Sequence, residues 1–255
     1  MTVKTAWLLC LLSLSGAVAL PAQAELPAGY QVVLQTENFP PFNMADNEKN
    51  FARDANIQGV STTIVREMFK RAGIDYTLTL RFPWSRIYDA TLANANHGLF
   101  STSMNEARRP LFKWVGPIAK VERVLLAAPG SNIPNLTGLE QARQYRIGSY
   151  KDSAAAQALE KAGLQPNNTL RDQENIAKLT SGKIDLWGTT DPVWRYQARQ
   201  EGVTGLRNVL TFDRADLYLA LNLDTPDEVV TRLQQALDQM KTEGYSTCNK
   251  HPELC

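Results

Sequence analysis

Histidine, cysteine and long apolar runs are all scarce in this chain. Its 255 residues include 2 histidines and 3 cysteines. No Ser-His-Asp set, metal-ligand cluster or glycine-rich phosphate loop presents itself. Excess charge is missing too: 27 Lys+Arg stand against 26 Asp+Glu, with no basic block. That balance argues against nucleic acid or an anionic membrane surface as the partner. Low-complexity segments and strict repeats are also lacking.

One apolar run stands out. "MTVKTAWLLCLLSLSGAVALPAQA" carries a single charge, Lys4, then apolar residues from about Ala6 to Leu20, then the small-x-small triplet Ala22-Gln23-Ala24. This is the form of a secretory signal peptide over residues 1–24, with cleavage expected before Glu25. The run is shorter than the ~20 residues a membrane span needs. The expectation is a secreted, soluble mature chain. The leader takes Cys10 with it. Cys248 and Cys255 remain, in "CNKHPELC". In an oxidising compartment a close, even pair reads as a disulfide closing a terminal loop. His251 lies between them, but three soft ligands do not complete a zinc site, so no metal is expected. Two free thiols are the other reading.

The periodicity alternates. "QVVLQTE" (31–37) and "YTLTLRF" (76–82) read as strands, "STTIVREMFKRAG" (61–73) and "SRIYDATLANANHG" (85–98) as helices. Ser61 would cap the first helix and Gly73 stop it. "GLFSTSM" and "FKWVGP" supply further extended pieces. The rhythm restarts with a capping box at Thr137–Glu140, a strand at 145–150 and a helix at 152–163 opening on Asp152/Ser153. Helix (174–182), strand (183–189) and helix (192–199) follow, then "LYLALNL" (217–223). The last helix takes Thr225 as cap and Val229, Leu233, Ala236, Leu237 and Met240 as its apolar stripe. Strands alternating with helices imply α/β architecture with parallel-type sheets.

Several of these stretches, in order, carry a resemblance. "TENFPPFNM", "GVSTTIVREMFKRAG", "FPWSRIYDATL", "STSMNEARRPLFKWVGPI", "YRIGSYKDSAAAQAL", "GKIDLWGTTDP" and "TPDEVVTRLQQALDQMKTEGY" together resemble family 3 periplasmic solute-binding proteins, the polar amino-acid type that serves ABC importers. The resemblance implies the two-lobed type II fold: two α/β lobes joined by two crossing strands, with ligand held between them. Lobe 1 would comprise 25–121 plus 214–255 and lobe 2 would comprise 122–213. The crossings would lie in "VERVLLAAPG" (121–130) and "FDRADLYLA" (212–220).

The resemblance also implies site residues. In amino-acid binders of the family, an arginine nine residues before a Pro-Ile type step grips the ligand carboxylate, and Arg108 stands nine before Pro117. Arginine suits the task because its planar fork matches a carboxylate bidentately and stays charged. Arg109 precedes Pro110 and takes the plainer role of a surface charge. Ser101 and Ser103 match ligand-contacting positions, or are strand-edge hydroxyls. Phe39 and Trp84 match aromatics that stack on the ligand, or belong to the core. Ser153 and the Ala154 N–H open a helix whose free N–H groups favour an anion, a role compatible with simple capping. Asp191 resembles the acid that meets an α-ammonium group, though its spacing from Asp185 departs from the pattern by one and Asp-Pro commonly opens turns. Glu37 stands near the cleft, facing either a cationic ligand or solvent. Arg86 is structural.

The expected function is capture of an amino acid or similar small polar carboxylate by a periplasmic monomer, without cofactor, for delivery to the permease of an ABC importer. Two other readings share the scaffold. One is a periplasmic dehydratase acting on prephenate or arogenate, with Glu37 or Asp191 as general acid. The other is a sensing domain acting in trans on a membrane receptor.

Overall fold

The computed structural model describes residues 26–47 and 49–245. The signal-peptide stretch and the Cys248/Cys255 pair lie outside the described residues.

In chain order the strands are β1 (Gln31–Thr36), β2 (Met44–Ala45), β3 (Phe51–Arg53), β4 (Ile57–Gln58), β5 (Asp75–Arg81), β6 (His97–Ser103), β7 (Lys113–Ala127), β8 (Ile147–Tyr150), β9 (Asn167–Thr169), β10 (Leu186–Asp191) and β11 (Arg207–Leu221). The helices are α1 (Val60–Ala72), α2 (Trp84–Ala93), α3 (Ala154–Lys161), α4 (Glu174–Thr180), α5 (Val193–Gln200) and α6 (Asp227–Thr242). Nine strands form one sheet in the order β3-β5-β1-β6-β11-β7-β10-β8-β9. β1 pairs in parallel with β5 and β6, and β8 pairs in parallel with β9 and β10. The parallel pairs fit the helix-separated strands read from the sequence.

Two strands unite the sheet. β7 and β11 are each 15 residues long, about 50 Å at strand rise, and they pair antiparallel over most of that length. One end of the pair borders β6, the other borders β10. Register shifts interrupt the β7–β11 ladder near Asn208/Leu210, Thr211/Asp213 and Leu217/Leu219. Such irregularities bend and twist a strand pair locally.

The apolar cores separate along this axis. Val65, Met68 and Phe69 of α1 meet Leu233, Leu237 and Met240 of α6 over Leu34 and Leu78. On the far part of the sheet, alternation along β7 splits the core in two. Leu125 joins Leu159, Leu186 and Val209 on one face, while Leu126 joins Ile176, Trp187 and Trp194 on the other. Fully burying each such side chain contributes about 1.5–3 kcal/mol.

Boundaries differ from the sequence expectations in instructive ways. α1 begins at Val60 behind Gly59, whose φ of 128° places the chain hard against Phe42, and Ser61 is fully buried inside the helix. Thr225 is likewise buried, and Pro226 occupies the cap position of α6. Ser153 does cap α3, its Oγ accepting from the Ala156 N–H at 3.1 Å. The box expected at Thr137–Glu140 is a 3-10 turn, Leu139–Gln144, without a side-chain cap. α2 stops at Ala93, where the Asn94 side chain donates to Ala90 O at 2.8 Å and Asn96 takes φ 60°. Asparagine tolerates that left-handed conformation, so the helix read to residue 98 ends early and His97 starts β6.

Candidate functional site

Two adjoining cavities, of about 150 and 60 Å³, open beside the crossing strands and share Glu37, Phe39, Tyr150, Ser153 and Thr190. The smaller is lined by residues from both sides of the sheet. Phe39, Trp84, Ser101, Ser103 and Arg108 come from the β1–β6 side, Ser153 and Ala154 from the start of α3. The fold thus gathers seven of the eight ligand-site residues named from the sequence. Asp191 is the exception and lines neither cavity. Its carboxylate accepts from Trp194 Nε1 at 2.9 Å and pairs with Arg195 at 2.7 Å, holding the entry to α5.

Arg108 is 3 % exposed. Its guanidinium lies 5.3 Å from the Trp84 ring centroid and 5.4 Å from that of Tyr88. Such contacts favour a desolvated cation over aromatic faces. Nη2 donates to Asp152 O at 3.1 Å, while Nε is buried without a partner among the described residues. Burial presses its pKa down, opposed by the charges of Tyr88, Glu37 and Asp152. A buried cation with an unused N–H is costly unless an anion arrives. Arg109 is exposed, as the sequence led us to expect.

Around Arg108 the polar groups form a connected set. Asn43 is 1 % exposed, donates to Glu37 O at 2.6 Å and accepts from Ser101 Oγ. Ser101 adopts φ 60° within β6, where the register with β11 is irregular. The Trp84 N–H donates to Tyr150 Oη at 3.0 Å, and the Tyr150 hydroxyl donates to Glu37 Oε2 at 2.8 Å. Burial pushes the Glu37 carboxyl up to about 8. The Tyr150 bond and Arg108 pull it down, and the Asp172 charge adds to the rise. Burial and the Glu37 charge hold the Tyr150 hydroxyl far above its usual value, so it stays a donor.

The larger cavity is lined by a second, half-buried acid. Asp172 accepts from Trp187 Nε1 at 2.8 Å and Thr189 Oγ1 at 2.6 Å. Burial raises it to about 6 against those hydrogen bonds. Arg171 covers the Phe82 ring at 5.6 Å on the same wall. The smaller cavity contains a second buried cation, Arg123, which is 5 % exposed and pairs with Asp213 across the β7–β11 ladder. Burial, then the charge of Arg108, lowers it to about 10. Among the described residues no group of three or more His, Cys, Asp or Glu could hold a metal ion. No helix there is long and apolar enough to cross a membrane.

Residues 32–248 match the family model of bacterial extracellular solute-binding proteins, family 3. The chain belongs to that family. Solved structures agree on the fold at low identity. An ancestral arginine-binding protein bound to arginine superposes with a TM-score of 0.70 at 20 % identity, covering 84 % of this chain and 94 % of that one. The arginine-, lysine-, histidine-binding protein ArtJ of Geobacillus stearothermophilus gives 0.71 at 19 %, covering 84 % and 90 %. A histidine kinase sensor domain with similarity to periplasmic binding proteins gives 0.73 at 20 %, with the same coverages. A sequence search of curated proteins finds no match. The two-lobed α/β architecture expected of this family 3 chain is the one such neighbours have.

Sequence reasoning singled out Glu37 but not its partners. Tyr150 closed a predicted strand in a quoted stretch that gave it no role, and Asp172 fell between the predicted elements. Arg123 did carry a signal: it is a charge inside the apolar crossing segment "VERVLLAAPG".

Proposed function

We propose that this protein captures an amino acid or similar small polar carboxylate between two lobes, 25–121 plus 214–255 and 122–213, and delivers it to an ABC importer. It works as a periplasmic monomer released by cleavage of residues 1–24. The observation that carries the reading is Arg108, a buried guanidinium lying over the adjacent Trp84 and Tyr88 rings with its Nε unpartnered among the described residues. A carboxylate would complete its fork, with the Ser101 and Ser103 hydroxyls and the Ala154 N–H in the same cavity. Phe39 and Trp84 supply aromatic walls. Separate cores on the two sides of the crossing strands support the lobe division.

The test is a thermal-shift screen of amino acids and small carboxylates. A ligand at ~100 times its dissociation constant adds roughly 2.7 kcal/mol to the folded state, an easily seen rise in Tm. No shift from any carboxylate would refute the proposal.

One observation favours a second reading, a dehydratase on the same scaffold. Glu37 keeps its proton to about pH 8 beside a cationic receptor, which is the state of a general acid poised to help hydroxide leave. Turnover of prephenate that disappears in Glu37→Gln would support it, and binding of prephenate without turnover would end it.

A further inference from the structure

We propose that Arg123 is a second ligand-binding guanidinium and that the solute is net anionic, presenting one carboxylate to Arg108 and a second anionic group to Arg123. The inference rests on reading the cleft as the solute site, and narrows it to a class.

Arg108 and Arg123 are 3 % and 5 % exposed and line the same cavity of about 60 Å³. They stand close enough for the charge of one to depress the basicity of the other. Two guanidinium groups in so small a space repel, with little water to screen them. The nearby acids do not resolve this. Glu37 accepts from Tyr150 and favours its neutral form. Asp172 is occupied by Trp187 and Thr189 and faces the other cavity.

Asp213 is the one carboxylate paired with either arginine among the described residues, and its side chain is 40 % exposed. It sits opposite Arg123 on β11, so it reaches that guanidinium from the edge and leaves it in the cavity lining. A half-solvated partner is the kind an incoming anion can replace, because water takes over the released carboxylate. One carboxylate on the solute satisfies Arg108 and its unpartnered Nε. The remaining positive potential calls for a second anion. A net-cationic solute would have to lodge its extra charge beside two buried cations.

Calorimetry and thermal shift with L-glutamate, glutarate and longer dicarboxylates, against L-glutamine and L-arginine, test this on the mature protein. We expect a two-anion member to bind about tenfold or more tighter than its amide or cationic counterpart. Arg123→Gln should erase that preference while leaving the weaker glutamine binding in place. Asp213→Asn removes the competing carboxylate without touching the cavity wall, and should tighten dicarboxylate binding, a gain that damage to the fold cannot mimic. Preference for arginine or glutamine, with a ranking unchanged in Arg123→Gln, overturns the inference and leaves the proposed function intact. Unchanged or weaker dicarboxylate affinity in Asp213→Asn overturns it as well. Failure of every carboxylate to bind overturns both.

Discussion

Arg108 and Arg109 share a peptide bond and almost nothing else. Arg108 is buried against two adjacent aromatic rings, Arg109 faces solvent. Arg108→Ala should therefore cost about 2–5 kcal/mol of binding, Arg108→Lys should recover only part of it, and Arg109→Ala should cost less than ~1 kcal/mol. Titration calorimetry with the screened ligand checks all three, and equal losses at 108 and 109 would count against the assignment. Glu37 makes a prediction about pH. In the folded protein it keeps its proton to about pH 8, against an ordinary value of 4.5 in the unfolded chain. The folded state thus binds more protons between those values, so this contribution is full below about pH 4.5 and is lost as pH rises to 8. Asp172, raised to about 6, acts in the same direction lower down. Between pH 6 and 8 the ligand-free protein should lose up to about 1.4 kcal/mol per pH unit through Glu37. Glu37→Gln should flatten that fall in thermal melts, and an unchanged slope would refute the assignment. Arg108 was singled out through the family resemblance, which sets an arginine nine residues before Pro117, and the structure puts it in the cavity lining. The environment of Glu37 was not legible, because Tyr150 reaches it from 113 positions away.

At the scale of elements, helices were easier to read than their ends. The stripe Val229, Leu233, Ala236, Leu237 and Met240 is buried as its spacing implied. The caps at Ser61 and Thr225 failed because tertiary burial claimed both side chains, and α1 starts instead at a glycine pressed against Phe42. A methyl group at Gly59 would stand 2.3 Å from Phe42 O in a backbone conformation that L residues rarely adopt. Gly59→Ala should destabilise the protein by at least about 1–3 kcal/mol in chemical denaturation. Ser153→Ala, which removes the side-chain N-cap of α3, should cost about 1 kcal/mol. A larger drop in ligand affinity than in stability would show that Ser153 also contacts the solute. Strand lengths were the least legible feature. β7 and β11 read as several short pieces because Gly116-Pro117 and charged residues interrupt the apolar pattern of one and polar residues that of the other, while their long mutual ladder is a non-local property.

For the whole molecule, the alternation of strands and helices was enough to give α/β class, but not a single sheet running through both halves. That continuity depends on two strands bordering β6 at one end and β10 at the other. It confines the covalent links between the halves to a narrow, irregular ladder, the kind of junction at which hinge closure occurs. The solute would then bias an open–closed equilibrium that exists without it. Small-angle scattering on the mature protein, with and without a saturating amount of the screened carboxylate, measures this most directly. The radius of gyration should fall for the native sequence and stay unchanged for Arg108→Ala at the same concentration. An unchanged radius at proven saturation, or an equal fall in Arg108→Ala, would contradict capture of a carboxylate by Arg108 between closing lobes.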